Sequence, residues 1–389
     1  MASDLYKGDL EMGKEEGQDF IRITKEEKVQ KIAPLLLEWY EEKARSLPWR
    51  DNPLPYYVWV SEIMLQQTRV EAVKRYFTRF METLPNIEAL ANVEEEVLLK
   101  LWEGLGYYNR ARNLQKAAIQ VMKEYGGVLP ASYEELQKLP GIGSYTAGAI
   151  ASIAYKIPVP AVDGNVLRVL SRLMADREDI LKQSVKKKAE ELLKENMPKE
   201  RASDFNQAMM ELGAIICLPN GLPKCEECPI SSLCTAKEEG NMMEFPVKSS
   251  KKPRKIEERT ILLISNDKKV AIHKRKSDGL LAGLYEFPNI MGQLSTEEVK
   301  ILLEKQNLKI HQIKQIERAK HIFSHIEWHM TGYEIELKEQ LKQIELQKEI
   351  FYFKNIEELE KKYSIPNAFS TYKEYLKKVL QLEQEKSRL

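Results

Sequence analysis

Four cysteines, Cys217, Cys225, Cys228 and Cys234, are all the cysteines of the chain, separated by gaps of seven, two and five residues. Four thiolates gathered in one short, Pro-containing stretch can bind tetrahedral zinc or an iron–sulfur cluster, and spacing alone does not choose between them. Two carboxylates come next. Glu62 lies among Trp59, Val60, Ile63, Met64 and Leu65. Desolvation there would raise its pKa and suit it to general acid work, the plain alternative being a surface glutamate on an amphipathic helix. Asp163, in Val162-Asp-Gly-Asn-Val166, precedes a helical stretch, and its plain alternative is an N-cap. The fourth feature is Leu139-Pro-Gly-Ile-Gly-Ser-Tyr-Thr-Ala147. Gly141 and Gly143 permit a tight turn that exposes backbone N–H groups beside a helix N-terminus, which suits a phosphate oxygen. An ordinary interhelical turn is the alternative there.

The elements that must position these residues divide into two kinds. From Lys25 to about Ala236 the pattern is helical, beginning with Ile32, Leu35, Leu36, Trp39 and Tyr40 at helical spacing. One helix is expected over residues 56–80, after the stop at Asn52-Pro-Leu-Pro55. Others are expected over 94–102, 110–125, 133–139, 145–155, 166–173, 184–196 and 205–216. The basic stretch Phe245-Pro-Val-Lys-Ser-Ser-Lys-Lys-Pro-Arg-Lys255 reads as a linker. Beyond it, 260–265 and 270–274 read as a β-hairpin around Asn266-Asp267, with strands near 313–317, 325–336 and 350–353 and helices over 296–306 and 371–384. The domains expected are an acidic tail (1–24), a helical catalytic domain (25–238), a basic linker (239–256) and an α+β domain (257–389).

Composition narrows the partners. Lys and Arg number 60 and Asp and Glu 59, a net charge of +1, so a nucleic-acid partner must be argued from local sites. Hydrophobic residues make up 43% of the 389, enough for sizeable cores. No apolar run approaches the roughly 20 residues of a spanning helix, and Met1–Phe20 lacks an apolar signal core. The expectation is a cytoplasmic protein with no membrane partner.

In this order the four features resemble the helix-hairpin-helix DNA glycosylase superfamily and, within it, the MutY family of adenine DNA glycosylases. The resemblance rests on Trp59-Val-Ser-Glu-Ile-Met-Leu-Gln-Gln-Thr68, Gly104-Leu-Gly-Tyr-Tyr-Asn-Arg110, Pro140-Gly-Ile-Gly-Ser-Tyr-Thr-Ala-Gly148, Ala161-Val-Asp-Gly-Asn-Val-Leu-Arg168 and Phe205-Asn-Gln-Ala-Met-Met-Glu-Leu-Gly213. It continues past the linker in Gly279-Leu-Leu-Ala-Gly-Leu-Tyr-Glu-Phe-Pro288 and Phe323-Ser-His325. It implies an all-α helix-hairpin-helix domain with an iron–sulfur loop, followed by a Nudix-like domain. The implied activity is base flipping and hydrolytic removal of adenine mispaired with 8-oxoguanine or guanine in double-stranded DNA, by a monomer.

Residue by residue, the resemblance makes Glu62 the acid that protonates the departing adenine and later helps activate water. Asp163 stays ionised and stabilises the oxocarbenium-like sugar, with Tyr145 and Asn165 in support. Trp49, Arg50, Leu65 and Gln207 line the adenine pocket. Gln67 and Tyr107 wedge into the base stack, with Thr68 and Leu105 near the lesion, and Phe323, Ser324 and His325 read 8-oxoguanine. The four cysteines hold a 4Fe–4S cluster, although the first gap is one residue longer than the family's usual six.

Other functions fit less well. A Nudix hydrolase needs a Glu-rich R-E-x-x-E-E helix for divalent metal, and Thr296-Glu-Glu-Val-Lys-Ile-Leu-Leu-Glu304 lacks that arrangement. A zinc deaminase would use an H-x-E element before its CxxC pair, whereas His325-Ile-Glu327 follows the cysteines. A bifunctional glycosylase and lyase of the endonuclease III type needs a lysine amine in the hairpin pocket. Ser144 and Tyr145 occupy that stretch, Lys138 precedes it and Lys156 follows it.

Overall fold

The structure is a computed structural model in which residues 23–250 and 253–386 are described. The expected acidic tail lies outside them except for its last two residues. Helix α1 (Lys25–Lys43) opens on a capping box, the Thr24 hydroxyl accepting from the Glu27 N–H and the Glu27 carboxylate from the Thr24 N–H. After α2 (Pro48–Asp51) come the buried α3 (Pro55–Leu65) and α4 (Val70–Thr83), then α5 (Ile87–Asn92), α6 (Glu95–Leu101) and α7 (Asn109–Glu124). Helices α8 (Tyr133–Leu136) and α9 (Ser144–Ala149) flank the glycine turn, and a π-helical turn, Ile150–Ala154, continues α9. Helices α10 (Gly164–Met174), α11 (Gln183–Asn196) and α12 (Ala202–Ile215) follow, and a loop ending in α13 (Thr235–Glu238) carries the cysteines. Two cores hold the helices together. One surrounds Trp59, Phe80, Trp102 and Leu114, the other Leu36, Val169, Phe205 and Leu212. The catalytic candidates lie where α3, α9, α10 and α12 meet.

The rest of the chain is built on strands β1 (Lys255–Asn266), β2 (Lys269–Lys274), β3 (Tyr285–Glu286), β4 (Asn289–Met291), β5 (Ile310–Ile322), β6 (Ile326–Leu337), β7 (Gln343–Leu346) and β8 (Glu349–Asn355). Among the described residues they form one sheet of order β5-β6-β1-β2-β8-β7, with β3 on β2 and β4 on β1. The β1–β6 pair is parallel and the others antiparallel. Ile261, Leu262, Leu263 and Ile264 of β1 are all fully buried, because both faces are covered. Helices α15 (Ile356–Lys362) and α16 (Ser370–Lys386) cover Trp328 and Phe287, while α14 (Thr296–Glu304) covers Leu262 and Tyr333.

The helical and sheet halves touch directly. Leu284, from the connection after β2, packs into the first helical core. Arg112 Nη2 of α7 donates to the Ala282 carbonyl at 2.5 Å, and Lys274 pairs with Glu96 at 2.6 Å.

The expected helices and strands are present, with three differences of substance. The single helix expected over 56–80 is broken between α3 and α4, where Gln67 takes a left-handed φ of +61°. The helix expected over 145–155 relaxes into the π turn just after Gly148. A Cβ at Gly148 would collide with the Pro160 carbonyl oxygen, so α9 and the chain leading to Asp163 approach as closely as backbones can. His325 lies in the turn before β6 rather than in the strand.

Candidate active site

Glu62 sits near the C-terminus of α3 and is 5% exposed. Burial pushes its carboxyl up to about 7, the Asp163 charge adds to the shift, and Tyr145 and Arg50 oppose it. The Tyr145 hydroxyl, on the first turn of α9, donates to Glu62 Oε2 and also lies 3.3 Å from Met210 Sδ of α12. Burial and the two nearby carboxylates drive the Tyr145 phenol well above its ordinary value, so it remains a donor.

Asp163 is indeed the N-cap of α10, and it faces the same cleft as Glu62. Its Oδ1 accepts from the Asn165 and Val166 backbone N–H groups at 2.9 and 2.8 Å, and its Oδ2 from Asn165 Nδ2 at 2.6 Å. Burial raises its pKa, while these three donors and the charge of Arg168 favour the ionised form. Asn165 is held in turn by Arg168, whose Nη2 donates to Asn165 Oδ1 at 3.0 Å and to the Gly213 carbonyl at 2.7 Å. Gly213 has no room for a side chain, because a Cβ would press on that of Asn165. Both carboxyls are buried and each feels one guanidinium, but they differ in donors, one at Glu62 and three at Asp163.

Both line a cleft of about 760 Å³ that also takes in Trp49, Arg50, Leu65, Gln67, Thr68, Asn165 and Gln207. Sequence reasoning passed over Glu211, a carboxylate with no exposure at the back of this cleft. Burial alone would raise its pKa, but Arg45 and Arg50, at 2.5 and 2.8 Å, outweigh that and hold it below the ordinary glutamate range. The pair fixes Arg50 against the pocket wall. Lys186 also lines the cleft, its amine donating to the Ser144 hydroxyl at 2.9 Å. Lys138 and Lys156 are engaged elsewhere, with Glu135 and Ser203.

Gln67 and Tyr107 are both exposed, and both adopt positive φ. Arg110 joins the loops that carry them. Its Nη1 donates to the Ile63, Met64 and Gln66 carbonyls at 2.7, 3.1 and 2.5 Å, and its Nη2 to the Leu105 and Gly106 carbonyls at 3.0 and 3.1 Å. This guanidinium caps the C-terminus of α3 and explains the break before α4. Leu105 is buried in the helical core rather than open to a ligand. Gly141, with φ +79°, makes the hairpin turn, and Gly143 is the N-cap of α9. Phe323, Ser324 and His325 form the turn between β5 and β6, Phe323 packing edge-on against Trp328 at 4.8 Å between centroids. Ser324 Oγ reaches the Tyr107 hydroxyl at 3.2 Å, bringing a candidate for lesion reading and a candidate for the stack wedge together from opposite halves.

The four cysteines surround one cavity of about 30 Å³, next to Arg172 and Ile230. Among the described residues no three His, Cys, Asp or Glu side chains stand in position for a single metal ion. Arg172 Nη1 donates to Cys217 Sγ at 3.2 Å and to the Leu218 carbonyl at 2.9 Å, and Arg168 Nε to the Cys217 carbonyl at 2.9 Å. Four thiols around one void, with a cationic donor on a sulfur, fit a four-thiolate cluster.

Residues 60–195 match the model of the HhH-GPD superfamily of base excision DNA repair proteins, and residues 259–375 that of the NUDIX domain. An adenine DNA glycosylase of Rattus norvegicus is 36% identical over 363 residues, covering 78% of this chain and 70% of that protein. One of Buchnera aphidicola subsp. Acyrthosiphon pisum is 35% identical over 303 residues, covering 77% and 85%. A trapped endonuclease III–DNA covalent intermediate is 27% identical, covering 55% of this chain and 98% of that one, with a TM-score of 0.49. A helix-hairpin-helix glycosylase unit and a Nudix-like unit in one chain, together with that identity over most of its length, place the chain in the adenine DNA glycosylase family.

Proposed function

We propose that this DNA glycosylase excises adenine paired with 8-oxoguanine, and adenine paired with guanine, as a monofunctional, monomeric enzyme of base excision repair. The observation that carries the reading is the pair of carboxyls in one cleft, a buried Glu62 at about 7 and an Asp163 with three N–H donors.

Half-protonated near neutrality, Glu62 can hand its proton to a ring nitrogen of an extruded adenine. The glycosidic bond then breaks with its electron pair leaving on the base. The positive charge grows on the sugar, where the Asp163 carboxylate stabilises it. Water adds to the sugar carbon and returns a proton to Glu62. Tyr145 keeps the Glu62 carboxyl oriented, and Asn165 does the same for Asp163. Trp49, Arg50, Leu65 and Gln207 hold the base, Gln67 and Tyr107 fill the gap it leaves, and Gly141 and Gly143 offer backbone N–H groups to a phosphate. Phe323, Ser324 and His325 contact the opposite base. Cys217, Cys225, Cys228 and Cys234 would hold a 4Fe–4S cluster, which when bound cross-links the loop packed on α10 and α12.

A second reading, a glycosylase with lyase activity, is favoured by Lys186 and Lys248, two amines that line the cleft. Duplexes carrying adenine opposite 8-oxoguanine, guanine or thymine decide between the readings. The proposal expects alkali-dependent breakage at the adenine, with thymine the poorest partner. Equal cleavage opposite all three bases, or breakage without alkali, overturns it.

A further inference from the structure

The segment Glu103–Tyr107 carries the aromatic side chain that the proposed function sets against the base stack. Its backbone enters the left-handed region three times, freely at the two glycines but not at Tyr107. Gly104, Gly106 and Tyr107 have φ of +105°, +70° and +48°. Tyr107 has a Cβ, so it holds this conformation only where contacts impose it. Some contacts come from the helical half. The Tyr76 hydroxyl donates to the Glu103 carbonyl at 3.0 Å, and Arg110 holds the Leu105 and Gly106 carbonyls.

The remaining contacts cross from the sheet half. Asn367 Nδ2, just before α16, donates to the Gly104 carbonyl at 3.2 Å. Lys373 Nζ, on α16, reaches Glu103 Oε1 at 2.7 Å. The Glu103 side chain is only 13% exposed, and its other oxygen pairs with Lys100 at the end of α6. The Lys100 ammonium also donates to the Tyr363 carbonyl at 3.0 Å. One sheltered carboxylate therefore joins a lysine from each half at the root of the loop.

We propose that Glu103, Lys373 and Asn367 form a latch through which docking of the sheet domain sets the stack-facing loop, making them positioning residues for mismatch selectivity. The inference rests on the substrate reading above. None of the three lines the catalytic cleft, so their influence on adenine release runs through the loop. With the latch open, the Ser324–Tyr107 contact loses its fixed geometry, and the base read by the sheet domain is no longer coupled to extrusion of its partner.

The test uses the full-length protein and single-turnover adenine release from A:8-oxoguanine and A:G duplexes at matched salt. Lys373→Ala and Asn367→Ala are each expected to lower the ratio of the two rates by about 5-fold or more, while Lys373→Arg preserves it. Lys373→Ala and Ser324→Ala are expected to combine non-additively, because both act on one loop. A merely structural contact would lower the melting temperature, or both rates together, and leave the ratio intact. That outcome in both alanine variants, with the unaltered protein preferring A:8-oxoguanine, overturns the latch alone. Equal rates on the two duplexes for the unaltered protein leave no selectivity for these residues to set and overturn the latch, and equal release opposite thymine as well overturns the substrate reading with it.

Discussion

At the scale of single residues, the contrast between Glu62 and Asp163 follows from what each carboxyl touches. Glu62 trades water for apolar neighbours and one phenolic donor, so its neutral form persists to about pH 7. Because the folded-state pKa lies above the ordinary 4.5, the associated stability is fully present below 4.5 and is lost as pH rises through 7, a change of about 3 kcal/mol. Base release that needs the neutral acid should fall over the same upper range. Glu62→Gln should bind the mismatched duplex nearly as well as the unaltered protein, yet release no adenine at any pH. It should also flatten the loss of stability between pH 5 and 8. Single-turnover rates and thermal melts across that range check this, and normal cleavage by the variant would remove Glu62 from its role. Local sequence left Glu62 open to a surface role and Asp163 to an N-cap, and it was the motif resemblance around them that singled them out. Glu211 and Arg110 were not singled out, since what they do depends on distant partners. The Glu211 pairs lie 166 and 161 residues apart, and Arg110 acts on carbonyls 44 to 47 residues earlier.

At the scale of elements, close backbone approach decides where the side chains proposed as catalytic stand. Helix α9 brings Tyr145 to Glu62 because Gly148 lets it lie against the Pro160 carbonyl, two residues before Val162-Asp163. Gly148→Ala should therefore destabilise the fold by about 1–3 kcal/mol through overpacking, and shift Asp163 away from Glu62. A calorimetric melt unchanged from the unaltered protein would contradict this. The longer helices and the main strands showed in the sequence through capping residues and apolar spacing. The short α2, α5, β3, β4 and β7 did not, because each has too few residues to display a period and is held by its neighbours. The break at Gln66–Arg69 was hidden for a different reason. Local helix propensity continues through it, and the Arg110 guanidinium overrides that preference from another helix.

At the scale of the whole molecule, a helical domain with the cleft and a sheet domain with the Phe323–His325 turn meet at the loop bearing Tyr107, the arrangement that the proposed reading of both bases of one mispair requires. The cysteine loop packs on the helix that begins at Asp163, tied to it by Arg168 and Arg172. The purified protein should contain about four irons per chain and absorb broadly in the visible, as one cubane on four thiolates requires. Stoichiometric zinc in a colourless, active preparation would contradict the cluster. The central claim, acid-assisted release of adenine without strand scission, is tested most directly by counting products from an A:8-oxoguanine duplex. One free adenine per duplex is predicted, with intact strands until alkali is added and no protein–DNA adduct trapped by borohydride. Strand breaks appearing in step with free adenine, together with a trapped adduct, would contradict it.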